Sequence, residues 1–232
     1  VTTFVLIHGA WHGGWCWNRV APLLKSAGHE VHQPTLSGLG DRAHLISRQI
    51  DLSTHIDDIA TYVSDAGLRD ITLVGHSYGG FPATVAAHRL GRLISHLVLL
   101  DAFLPVDGEM LLDHAPAMIE RYRQAAEADD GWNIPPIPSS LFGVAADDQS
   151  WVDARLTPQP VESYFERVSL PQALNVQRKI YIRCAQAPGD LLVTSIGRVQ
   201  SDAGWHYLEI DAPHDVMITH PELLARELLH HG

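Results

Sequence analysis

The chain has 232 residues, 46% of them apolar, enough for one domain with a sizeable core and a single inserted subdomain. Its formal charge of −11 argues against nucleic acid and acidic membrane surfaces as partners, because phosphate binding needs a basic face. Cys16 and Cys184 match no metal or redox spacing and read as reduced, buried thiols, and none of the 15 histidines belongs to an HExxH pair, so no metal or other cofactor is expected.

The short apolar run 3–7 reads as a buried strand, with no charged leader before it and no apolar stretch anywhere long enough to span a bilayer. A cytoplasmic protein is the resulting expectation. A loop rich in glycine and tryptophan, 11–17, gives way to a helix that Gly28 ends. Residues 30–34 form a second strand with a flexible loop, 36–42, at its end. Ser53 is placed to cap a helix running to about residue 66, with Asp57 and Asp58 in its early turns. A buried strand at 71–74, a helical pattern over 81–90 and a further strand at 96–100 follow. Strand and helix signals alternate throughout, which predicts an α/β fold: a mostly parallel sheet with helices on both faces.

From residue 105 to 171 the rhythm changes. Two helices, over 108–128 and 160–168, are expected on either side of the proline-rich 132–138, with no strand-loop-helix unit among them. Long insertions of this kind are usually lids or binding loops, so the segment reads as an inserted cap. The expected division is therefore a core from 1–104 and 172–232 with a cap at 105–171. Strand signals resume at 179–184 and 205–210, and a helix over 221–230 with proline in its first turn closes the chain.

Between the strand at 71–74 and its helix stands Gly75-His76-Ser77-Tyr78-Gly79. A G-x-S-x-G sequence in a strand-to-helix setting is the signature of a nucleophile elbow, where the turn is too sharp for a Cβ at either glycine. A serine hydroxyl needs a base to take its proton as it attacks. His214, just beyond the last predicted strand, fits the chain order of nucleophile, acid and histidine. His8 and His76 sit where an imidazole would not swing onto Ser77. The acid should emerge from a strand end near His214, and Asp101 and Asp190 both qualify. Asp101 sits at a rigid strand tip and Asp190 in a loop with proline and glycine, which favours Asp101; Asp215 or water remain as outside alternatives. The oxyanion of acyl transfer needs backbone donors, expected from Ala10 and Tyr78, with Gly9 allowing close approach. Trp11, Trp15, Phe103, Leu104 and Trp132 are candidates for an apolar substrate pocket.

The stretches His8-Gly9-Ala10-Trp11-His12-Gly13-Gly14-Trp15, Gly75 to Gly80 and Asp211 to His214 together resemble the small α/β-hydrolases grouped with plant methylesterases and hydroxynitrile lyases. The first loop, with Gly38-Leu39-Gly40-Asp41-Arg42-Ala43-His44-Leu45, is similar to a bacterial branch of ester and carbamate hydrolases. The resemblance implies the α/β-hydrolase fold and a cofactor-independent serine hydrolase. The lyases of this group carry a threonine where Gly9 stands and a lysine where Asp215 stands, so hydrolysis is favoured over cyanohydrin cleavage. Plant members place their acid at the position of Ala187 and have none at Asp101; this chain shows the reverse, which suggests that the carboxylate has moved between neighbouring strand tips. The expected substrate is a small apolar or aromatic ester or carbamate. The rival readings are a lyase and a receptor without turnover on the same scaffold, and a homodimer is admitted.

Overall fold

The computed structural model describes residues 1–128, 132–187 and 190–232. β1 (Thr3–Ile7) leads through the tryptophan loop into α1 (Ala21–Ser26), and β2 (Glu30–His32) is followed by α2 (Leu52–Asp65). β3 (Ile71–His76), α3 (Gly80–Leu90) and β4 (Ile94–Leu100) form the next unit. Residues 105–171 contribute α4 (Ile119–Ala128), the two-residue strands β5 (Asn133–Ile134) and β6 (Gln159–Pro160), α5 (Ala146–Asp153) between them, and α6 (Glu162–Phe165). β7 (Arg178–Cys184), α7 (Val193–Ser201), β8 (Trp205–Ile210), α8 (Val216–Thr219) and α9 (Pro221–His231) complete the chain.

The six long strands lie in the order β2-β1-β3-β4-β7-β8, and every pairing in that sheet is parallel. A parallel sheet is covered on both faces, which is why β1 and β3 read as unbroken apolar runs. Side chains divide between the faces with the period of two that a strand imposes. Val5, Ile7, Leu73, Leu97 and Leu99 pack with Ile56, Ile59 and Phe81 from α2 and α3. Phe4, Leu6, Val74, Val98 and Leu100 pack on the other face with Leu24 of α1 and Leu224 and Leu228 of α9. Each such side chain contributes on the order of 1.5–3 kcal/mol by leaving water. The chain leaves β1 for β2 on one side and returns to β3 on the other, so a crevice opens at the carboxyl ends of β1 and β3.

Several local expectations give way to better-bonded alternatives. Asp51, not Ser53, caps α2: its carboxylate accepts from Thr54 N at 2.8 Å. Ser53 instead donates through N and Oγ to Glu166, at 2.7 and 2.5 Å. The helix expected over 108–128 is regular only from Ile119, because Pro116 removes a donor and Asp113 caps the preceding 3₁₀ turn through Met110 N. The helix expected over 160–168 is a single turn, since Pro160 lies in an antiparallel ladder with Asn133. The alternating pattern also gave no sign of α5, α7 or α8.

Candidate active site

Ser77 follows the last residue of β3 with φ +53°, a left-handed conformation that a side chain adopts only under constraint. A Cβ at Gly75 would lie 2.7 Å from Gly79 O, and one at Gly79 would lie 2.5 Å from His8 O. The glycines therefore let the β3–α3 turn close against β1. Among the described residues four non-glycine positions have positive φ, and three of them, Trp11, Ser77 and Asp101, border one cavity at the carboxyl end of the sheet. That cavity, of about 280 Å³, is also bordered by Ala10, Tyr78 and His214.

The tip of β4 delivers Asp101, whose N–H extends the ladder to Ile182 O of β7 at 2.7 Å. Its buried carboxylate accepts from His214 Nδ1 at 2.6 Å on one oxygen. The other oxygen accepts from Arg183 at 2.6 Å and from Cys184 N at 3.1 Å. Burial pushes the Asp101 carboxyl upward, but the bond and charge of His214, and then those of Arg183, outweigh it and hold the group below its usual range. A carboxylate can only accept, so His214 Nδ1 carries a proton and Nε2 keeps its lone pair. Asp190 is exposed, and its carbonyl accepts from Val193 N at the start of α7. No described bond joins it to His214.

Two histidines set the first loop. His8 Nδ1 donates to Gly9 O at 2.8 Å, while Nε2 accepts from Leu36 N at 3.1 Å. Burial pushes this imidazole down to about 3, so it stays neutral. Since C=O and N–H of a trans peptide point opposite ways, holding Gly9 O turns the Ala10 N–H away from His8. His12 donates through Nδ1 to Ala10 O at 2.8 Å and through Nε2 to Asp215 at 3.1 Å. Burial opposes its charge, but the Asp215 carboxylate outweighs burial and raises the pKa. Trp11 N–H is taken by Gln159 Oε1 at 3.1 Å, and Ala10 and Tyr78 border the cavity together with Ser77. The Tyr78 ring is pinned too: His55 Nε2 donates to Ser37 O at 2.9 Å, so its Nδ1 accepts from the Tyr78 hydroxyl at 2.6 Å. The positions of His8, His12, His55 and Arg183 were not legible as site features, because each ring or guanidinium is fixed by at least one partner distant in sequence.

Of the other expected pocket residues, Trp11 and Phe103 border the cavity. Leu104, Trp132 and Trp15 do not, the Trp15 ring stacking on His12 instead. Leu104 is buried against α7, with its N–H donated to Ser195 Oγ at 2.9 Å, and Trp132 O accepts from Val161 N. Gly9 touches the site from beneath; a Cβ there would stand 3.1 Å from the Ser77 Cβ. The apolar wall is instead Leu111, Leu112, Met118, Ile137, Phe142 and Tyr164, all from residues 105–171, faced by Leu191 and Leu192.

Residues 4–227 match the α/β-hydrolase family. The chain belongs to that family. This hydrolase is 36% identical to a carbendazim hydrolyzing esterase of Nocardioides sp. (strain SG-4G), over 98% of each chain. It is 28% identical to methylesterase 1 of Arabidopsis thaliana, over 87% of its own length and 73% of the relative's. An extracellular α/β-hydrolase from a Paenibacillus species has the same fold, with a TM-score of 0.87 at 22% identity, covering 100% of this hydrolase and 99% of that chain. Among the described residues no helix is long and apolar enough to cross a membrane.

Proposed function

We propose that the protein is a serine carboxylic ester hydrolase, acting on small apolar or aromatic esters or carbamates through an acyl or carbamoyl enzyme on Ser77. The observation that carries this reading is the 2.6 Å bond from His214 Nδ1 to the buried Asp101 beside a strained serine in one apolar cavity. In this mechanism Ser77 Oγ attacks the carbonyl carbon as His214 Nε2 takes its proton. Asp101 holds the tautomer and stabilises the imidazolium. The Ala10 and Tyr78 amides bind the oxyanion, a donor of this kind being worth about 3 kcal/mol in the transition state. His214 then protonates the leaving oxygen or nitrogen, and water, activated by the same imidazole, releases the acid.

Carbamates enter the proposed range through the full-length similarity to the carbendazim esterase. Two features speak against cyanohydrin cleavage: Gly9 offers no hydroxyl, and Asp215, where the lyases have a cation, is a buried carboxylate bonded to His12.

The test is steady-state hydrolysis of p-nitrophenyl acetate and butyrate. Ser77→Ala should lose turnover while keeping its circular dichroism and melting temperature. Asp101→Asn should lose roughly 10⁴-fold in kcat through the wrong imidazole tautomer, and Asp190→Asn should stay within twofold of the wild type. A dead Asp190→Asn beside an active Asp101→Asn would refute the assignment of the acid. A wild type inactive on both esters would refute the function, and cyanide release from a cyanohydrin would then be assayed.

A further inference from the structure

Behind His214 lies a group of donors that the hydrolytic reading leaves unused. His76, the last residue of β3, is buried, and its Nε2 bonds His214 O at 3.1 Å. A carbonyl only accepts, so the proton is on Nε2 and the lone pair on Nδ1. No described residue bonds that Nδ1. Asp215 is buried as well; His12 takes one of its oxygens, and no described residue bonds the other. The two rings of His76 and His214 lie 4.6 Å apart between centroids. One donor atom from each of His76, His214 and Asp215 lies within 4.8 Å of the other two.

We propose that these three side chains bind a borderline-soft divalent cation, of which Zn²⁺ is the representative, and that its binding reversibly silences the enzyme. Two imidazole nitrogens and a carboxylate oxygen are a ligand set that zinc accepts, with a fourth position left for water. Donors no more than 4.8 Å apart leave a central point within about 2.8 Å of each, so closing to the usual 2.0–2.2 Å requires each donor to move by at most roughly 0.7 Å. Each ligand already has an outer partner of the kind that fixes metal-binding side chains. His214 is held by the Asp101 carboxylate, His76 by a backbone carbonyl and Asp215 by His12. Gly9 leaves the room: a Cβ there would stand 3.0 Å from His76 Nδ1. His214 borders the substrate cavity, which is the route of entry. The cation takes the Nε2 lone pair of His214, and that nitrogen can then accept no proton from Ser77. Metal binding stands on the geometry alone; only the loss of activity rests on the proposed role of His214.

Untagged, chelator-stripped protein dialysed to equilibrium against 10 µM Zn²⁺ at pH 7.5 is assayed for bound metal by atomic emission. Wild type and Ser77→Ala should each hold one ion per chain more than His214→Ala and His76→Gln, both checked for folding by circular dichroism. The comparison removes ions held elsewhere, for instance on the neighbouring rings of His206, His230 and His231. Hydrolysis of p-nitrophenyl butyrate by wild type should fall at least tenfold as that ion binds, return on adding EDTA, and not respond to Mg²⁺. Equal metal content in wild type and both variants would overturn the site. One extra ion without loss of hydrolysis would overturn the silencing. An inactive wild type that still binds the extra ion would count against the proposed function and leave the site standing.

Discussion

Trp11, Ser77 and Asp101 all hold backbone conformations that side chains avoid, at a cost on the order of 1–3 kcal/mol each, and all three meet at one cavity. The surrounding bonds enforce that arrangement: Phe103 N donates to Ser77 O at 3.1 Å, Asp101 N to Ile182 O, and Thr157 N to Trp11 O at 2.9 Å. The elbow tolerates no added atom on the side of β1. Gly79→Ala should therefore destabilise the fold by about 2–4 kcal/mol, since its Cβ meets backbone at His8 O and neither strand can yield without moving the sheet. Urea midpoints of variant and wild type measure this, and a difference below 0.5 kcal/mol would show that the turn has slack. Ser77 and His214 were legible in the sequence because the elbow pentapeptide and the histidine after the last strand are local patterns. Between Asp101 and Asp190 the rigid strand tip favoured Asp101 without deciding. The choice depends on which strand tip the loop carrying His214 passes, and the described bonds put Asp101 there.

At the scale of elements, the segment 105–171 joins the core through shared apolar packing, with Leu111, Leu112 and Tyr164 in the cluster of Val5 and Phe81, and through ionic bonds, with no strand of the six-stranded sheet among its described residues. Glu109 receives a fork from Arg198 of α7, at 2.7 and 2.5 Å, and Arg198 also donates to Leu104 O at 2.8 Å. Burial pushes the Glu109 carboxyl up, but the Arg198 bond and the Val106 N–H outweigh it, so its pKa lies below the ordinary 4.5. A carboxyl depressed in the folded state adds stability above its unfolded value and loses it as pH falls through its folded value. Glu109→Gln should thus lower stability by about 1 kcal/mol at pH 7, and the gap should close below pH 4.5. Urea unfolding of both proteins at pH 7 and below 4.5 checks the sign; a gap that widens in acid would refute the role of the pair. The strand-helix alternation of the core was readable because burial on both faces demands continuous apolar runs. The elements of 105–171 were harder to read: Pro116 and Pro160 break helical patterns, and the β5–β6 ladder is only two residues long.

For the molecule as a whole, the cavity lies between two bodies of sequence, with Ser77, Asp101 and His214 from the sheet and the loops after it and most of the apolar wall on 105–171. Of the residues that line it, Leu141 and Leu191 are 56% and 49% exposed. Exposed leucines at a pocket rim offer apolar contact to a substrate as it enters. Leu141→Ser and Leu191→Ser should each raise KM for p-nitrophenyl butyrate two- to tenfold with kcat nearly unchanged, the mark of lost uniform binding. An unchanged KM would remove the rim from the binding surface. A volume of about 280 Å³ also sets a ceiling on size, so acetate and butyrate esters should be cleaved at least tenfold more efficiently than palmitate, read as kcat/KM.

The amino-acid sequence by itself determined the parallel sheet, the elbow turn and the chain order of Ser77 and His214. Those features follow from spacing along the chain: apolar runs, glycines at a sharp turn, a histidine after a strand. The tertiary structure alone decided which carboxylate meets His214, how His8 and His12 hold the first loop, and that Leu111 and Phe142, rather than Leu104 and Trp132, wall the cavity. His8 and His12 grip neighbouring carbonyls, but the partners that fix their rings, Leu36 and Asp215, like the other contacts named, lie tens to hundreds of positions away and are brought together by strand order and by the fold-back of 105–171. No local pattern encodes that adjacency; it arises only when β4 lies beside β7 and the loop after β8 bends back over them.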